Sequence, residues 1–83
     1  MAPLPKPTET ILVVDDDPEV LALAVDILEM AGYTVLSTRD PRHALRLARG
    51  HGEPLHLLLS DVVMPLMNGL QLAVEVQALR PEV

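Results

Sequence analysis

Two short apolar runs in this chain each end in carboxylate. Ile11-Leu12-Val13-Val14 runs into Asp15-Asp16-Asp17, and Leu57-Leu58-Leu59-Ser60 runs into Asp61 and then Val62-Val63-Met64-Pro65-Leu66-Met67-Asn68-Gly69. Apolar runs of this length, bounded by turn residues, read as buried strands. The acids then stand where strands leave a sheet, which in open α/β folds is where ligands bind. Carboxylates brought together there repel one another, and a divalent cation removes the conflict. Hard oxygen ligands suit Mg2+, which keeps several waters and is normally completed by phosphate oxygens. A carboxylate at such a site can attack phosphorus and form an aspartyl phosphate.

The elements that must position these acids follow from periodicity and punctuation. Thr10 to Val14 reads as a first strand, apolar throughout and so central in a sheet covered on both faces. Asp17-Pro18 is a helix start, with Asp at the N-cap and Pro at the first helical position. The helix runs from about Pro18 to Met30, with Val20, Leu23, Ala24, Ile27, Leu28 and Ala31 as its apolar stripe and Gly32 as its left-handed stop. Tyr33 to Thr38 is a second strand, and Asp40-Pro41 opens a shorter helix to about Arg49. In that helix Ala44, Leu45, Leu47 and Ala48 face inward, while Arg39, Arg42, Arg46 and Arg49 are expected in solvent. Gly50 to Pro54 is a loop by composition. Leu55 to Ser60 is the third strand, and Asn68 or Gly69 opens a third helix to about Arg80.

Strands alternating with helices imply parallel pairing through right-handed crossovers. The most economical arrangement is a flavodoxin-like α/β sheet of order 2-1-3 with helices on both faces. It sets Asp15, Asp16 and Asp61 at one edge, on adjacent strands. Residues 1–9 contain Pro3, Pro5 and Pro7 and read as a proline-rich linker or tail, leaving residues 10–83 as the folded part.

Composition narrows the function. Eighty-three residues make one small domain at most. An apolar content of 49% is enough for a core and too high for a disordered chain, and with Tyr33 the only aromatic that core is aliphatic. A net charge of −6 argues against direct binding to nucleic acid, and there is no aromatic platform for stacking bases. The absence of cysteine excludes disulfides, thiolate metal sites and cysteine nucleophiles. No apolar run approaches the roughly 20 residues of a membrane span, and residues 1–10 lack the core of a signal peptide, so a cytoplasmic location is expected.

Three pieces of the chain together carry a family resemblance: Val14-Asp15-Asp16-Asp17-Pro18, Ala31-Gly32-Tyr33-Thr34-Val35, and Asp61 to Gly69. In this order and spacing the chain resembles the receiver domain of two-component response regulators. The proline-rich lead-in and the Asp61-Val62-Val63-Met64-Pro65 wording are similar to receivers of hybrid sensor histidine kinases. The resemblance implies that Asp61 is the phosphoacceptor, taking a phosphoryl group from a histidine kinase or phosphotransfer domain. It implies Mg2+ held by Asp16 and Asp61 with the main-chain carbonyl of Val63, and Asp15 acting mostly through water. It also implies that the chain is no stand-alone enzyme and at most catalyses its own phosphorylation and dephosphorylation. A complete receiver has five strands and five helices, whereas this sequence supplies three of each. The family's Ser/Thr after the fourth strand and Lys after the fifth have no counterpart here, since the only lysine is Lys6.

Other readings are weaker. Asp17 is explained by capping. His43, His51 and His56 have no metal spacing and read as solvated or core histidines. An EF-hand starting at Asp15 would need Gly where Val20 stands and Glu where Asp26 stands. A haloacid-dehalogenase-like, Mg-dependent phosphatase with an aspartate nucleophile could use Asp15 and Asp17, yet would not predict the Asp61 segment. The remaining alternative is a receiver fragment that folds without switching and binds partners or itself. The outer edge of the third strand, carrying Leu55, Leu57, Leu58 and Leu59, would then be the self-association surface.

Overall fold

A computed structural model describes residues 9–61 and 67–83. The tail expected over residues 1–9 falls almost wholly outside them. The elements are β1 (Thr10–Val14), α1 (Pro18–Met30), β2 (Thr34–Thr38), α2 (Pro41–Gly50), β3 (Leu57–Ser60) and α3 (Gly69–Leu79). The sheet is parallel with order β2-β1-β3. Leu12 faces Leu36 on one side and Leu58 on the other, and Val14 faces Thr38 and Ser60. Every residue of β1 is buried, which is why the sequence there is a continuous apolar run and does not alternate.

Passing from β1 to β2 moves one way across the sheet, and passing from β2 to β3 moves back over β1. Right-handed crossovers therefore set α1 and α2 on opposite faces. The core agrees: Leu12 and Val14 cluster with Ala44 and Ala48 of α2, Leu55, and Leu72 and Val76 of α3.

Local chemistry starts and stops the helices as expected. Asp17 caps α1, its carboxylate accepting from the N–H groups of Glu19 and Val20, and Asp40 caps α2 by accepting from Arg42 N–H at 2.8 Å. The Asp40 carboxyl lies below its ordinary pKa, chiefly because of that backbone hydrogen bond, with the Arg42 side chain adding to it. Asn68 caps α3 by accepting from Gln71 N–H at 2.8 Å. At the end of α1, Gly32 takes φ 99° while Tyr33 N–H reaches Leu28 and Gly32 N–H reaches Glu29, the Schellman arrangement.

Several expectations need correction. The α1 stripe is displaced, for Val20, Leu23 and Ile27 are exposed and the half-buried row is Leu21, Ala24, Val25 and Leu28. The helix is apolar around most of its circumference, so periodicity alone admits two overlapping stripes. The third strand begins at Leu57, two residues late, and Leu55 is fully buried in the core and not on the sheet edge. His56 stands just before the strand, where its ring Nδ1 accepts from Thr10 N–H at 3.0 Å and its own N–H donates to the Thr10 carbonyl at 2.9 Å. The second strand starts at Thr34, since Tyr33 belongs to the helix stop, and α2 extends one residue further, to Gly50.

Arg80, just past α3, closes the C-terminal end of α2. Its guanidinium donates to the carbonyls of Ala48 at 2.8 Å and of the C-cap His51, which the helix end leaves unmatched, and to that of Glu53 in the following loop at 3.2 Å.

The two faces should respond differently to truncation. Leu72→Ala, at a fully buried site, is expected to lower stability by about 2–5 kcal/mol, enough to unfold much of so small a domain. Leu23→Ala, at a site 61% exposed, should stay within about 0.5 kcal/mol of wild type in the same urea titration.

Candidate metal and phosphoryl site

The fold brings the sequence-predicted acids together. Asp15 and Asp16 follow β1 and Asp61 follows β3, and the two strands are hydrogen-bonded neighbours. One carboxylate oxygen from each of Asp15, Asp16 and Asp61 lies within 4.8 Å of the others. Asp15 and Asp16 are partly buried and Asp61 is exposed.

Backbone hydrogen bonds fix the two strand ends. Asp61 N–H donates to the Val14 carbonyl at 3.1 Å and carries the β1–β3 pairing one residue past the strand. Asp15 N–H donates to the Thr38 carbonyl at 3.3 Å and does the same toward β2. Within the loop, Asp17 N–H donates to Asp15 Oδ1 at 2.9 Å. One oxygen of Asp15 is thereby engaged within the loop. Asp17 is occupied by its capping bonds and does not join the cluster, as expected. Val63 lies outside the described residues.

Two features were not anticipated. Arg39, exposed as expected, also donates from Nε to the main-chain carbonyl of Asp16 at 3.2 Å. Thr38 is buried, and its hydroxyl meets His43 Nδ1 at 2.9 Å and accepts from Asp40 N–H at 3.1 Å, knitting the turn beside the acids. The Arg39 contact, spanning 23 residues, has no sequence signal, whereas the Thr38 hydroxyl bonds are local to the β2–α2 turn. A cavity of about 420 Å3 opens beside the cluster, lined by Asp15, Asp17 and Asp61 at its polar end and by Val13, Val20, Ala24 and Leu59 beyond.

The donor set fits a small hard cation. Around Mg2+, ligand oxygens at about 2.0–2.1 Å stand roughly 3–4 Å apart, and the three oxygens here lie within 4.8 Å of one another.

Residues 11–83 match the response regulator receiver domain. The chain belongs to that family. It is 43% identical over 60 residues to the transcriptional regulatory protein CpxR of Escherichia coli, a match spanning 72% of this chain and 25% of CpxR. Among solved structures it superposes on the receiver domain of the hybrid histidine kinase CckA with TM-score 0.79 and 34% identity, covering 84% of this chain and 65% of that one. It also superposes on a crystal structure of the histidine kinase ThkA in complex with the response regulator TrrA, with TM-score 0.76 and 28% identity, over 92% of this chain and 61% of that one. This receiver chain therefore spans about a quarter of the curated relative and under two thirds of these structures. Its sheet is the flavodoxin-like receiver pattern through the third strand and helix.

Crowding of the acids has a measurable cost without metal. Asp16→Asn removes one of three charges separated by a few ångströms, an interaction of about 1 kcal/mol at solvent-like dielectric. In metal-free buffer the variant should melt about 4–8 °C above wild type, and the gain should shrink as salt is added.

Proposed function

We propose that this receiver accepts a phosphoryl group on Asp61, with Mg2+ held by Asp16 and Asp61, by the Val63 carbonyl, and by Asp15 largely through water. The observation that carries the reading is the convergence of the Asp15, Asp16 and Asp61 oxygens at adjacent strand ends in a chain of this family. A bound Mg2+ would supply positive charge to the equatorial oxygens of the transferring group.

The chain's own residues do the rest. Asp61 is the exposed member of the cluster and presents its carboxylate to an incoming donor. A carboxylate oxygen attacks phosphorus, the bond to the donor nitrogen breaks, and the electron pair leaves with the histidine ring, which takes up a proton. The hydrogen bond from Asp61 N–H to Val14 holds the acceptor in line with β1. The donor is a histidine kinase or phosphotransfer domain, a reading supported by the likeness to TrrA, the response regulator in complex with ThkA. No described helix is long and apolar enough to cross a membrane. The absence of cysteine is in keeping with a cytoplasmic setting.

Phosphorylation can be tested without a kinase. With Mg2+ and a small acyl phosphate, intact-mass spectrometry should show one added, acid-labile phosphoryl group on wild type and none on Asp61→Asn. An unmodified wild type, beside a labelled full-length receiver, would remove the activity from this chain.

A second reading is favoured by exposed apolar surface. Leu57 and Leu59 of the edge strand β3 are 50% and 46% exposed, and Val20, Leu23 and Ile27 of α1 are exposed as well. An uncovered strand edge pairs readily with another chain, so the isolated polypeptide is proposed to self-associate through β3. Light scattering at micromolar concentration should report a dimer or larger species; a stable monomer would count against it.

A further inference from the structure

The loop bearing Asp15, Asp16 and Asp17 is held by different partners at successive residues. Asp15 N–H is taken by the Thr38 carbonyl, Asp17 N–H by Asp15 Oδ1, and the Asp17 carboxylate by the first turn of α1. Asp16 is reached from outside the loop by Arg39, whose Nε–H meets its main-chain carbonyl across 23 residues of sequence. Arg39 directly follows β2, so this contact ties the β2–α2 turn to the β1–α1 loop at the same sheet edge as the acids.

We propose that Arg39 is a positioning residue for the acid cluster: its Nε–H bond to the Asp16 carbonyl keeps the Asp16 carboxylate beside Asp15 and Asp61. The inference rests on the metal reading given above. Repulsion within the cluster drives Asp16 toward solvent, and a tether on its main chain opposes that drift without occupying the carboxylate oxygens a metal needs. A donor that grips the backbone leaves the ligand atoms available. Outer contacts of this kind orient ligands at metal sites and change affinity when removed.

The guanidinium also carries charge, and the two contributions have opposite signs. As a nearby cation Arg39 disfavours Mg2+, so its loss would tighten binding; as a tether it favours Mg2+, so its loss would weaken binding. Glutamine separates them, because its Nε2 is the same number of bonds from Cα as arginine Nε and donates without charge.

The test is titration of the full chain with Mg2+ alone, followed by amide chemical shifts, for wild type, Arg39→Ala, Arg39→Gln and Arg39→Lys. Arg39→Ala is expected to weaken binding about tenfold, while Arg39→Gln binds at least as tightly as wild type. In metal-free protein the Asp17 amide should exchange faster in Arg39→Ala and not in Arg39→Gln, with the melting temperatures recorded to separate global loss of stability. Equal or tighter binding by Arg39→Ala overturns the proposal, as does a pattern in which Arg39→Lys keeps affinity and Arg39→Gln loses it. Wild type that binds no Mg2+ overturns the metal reading and this inference together.

Discussion

Everything in this fold depends on β1 being paired on both sides. A strand with neighbours on each edge and helices over each face has no solvent for its backbone groups, so its N–H and C=O groups must be matched by β2 and β3. That requirement fixes the registers Val14 to Thr38 and Val14 to Ser60, and with them the height at which each chain leaves the sheet. The acids inherit their proximity from this register. Slipping β3 by one residue would turn its side chains to the opposite face and displace Asp61 along the sheet edge.

The pairing also explains why carboxylates can be crowded here. At the strand ends the backbone ladder runs on for one more residue, through Asp15 N–H to Thr38 and Asp61 N–H to Val14, so the main chain is held while the side chains repel. Farther along, Asp17 is occupied in capping α1. The scaffold thus spends its rigidity on the backbone at both strand ends, and the three carboxylates converge there. This is the division of labour that metal and phosphoryl chemistry asks of a protein.

Much of this was legible in the sequence, for identifiable reasons. The helix starts at Asp17-Pro18 and Asp40-Pro41 and the stop at Gly32 are short-range effects of side-chain oxygen, fixed φ and positive φ, so local residues suffice to read them. The convergence of Asp15, Asp16 and Asp61 followed from crossover handedness. What escaped was decided by tertiary context. The half-buried row of α1 could not be chosen because nearly every position there is apolar. Leu55 looked like strand and is core, because the apolar run continues past the last ladder partner toward α2 and α3. Arg39 is exposed as expected and Arg80 stands at the expected helix end. Each also reaches main-chain carbonyls across long separations, and nothing in composition marks an arginine for that work.

The two faces of the sheet are unequal, and the inequality bears on where the site gets its rigidity. The face under α2 and α3 holds the large fully buried side chains Leu12, Leu55 and Leu72, while α1 has no fully buried residue. A loop leading into a weakly packed helix opens more readily than one leading into a packed one. Asp15 and Asp16 sit on that loop, whereas Asp61 is held directly to the central strand. The two acids from β1 therefore depend more on polar tethers, from Thr38, Arg39 and the Asp17 cap, than on the hydrophobic core. Order at the site is set by hydrogen bonds at the sheet edge, and any change that seals the α1 face should be felt first at Asp15 and Asp16.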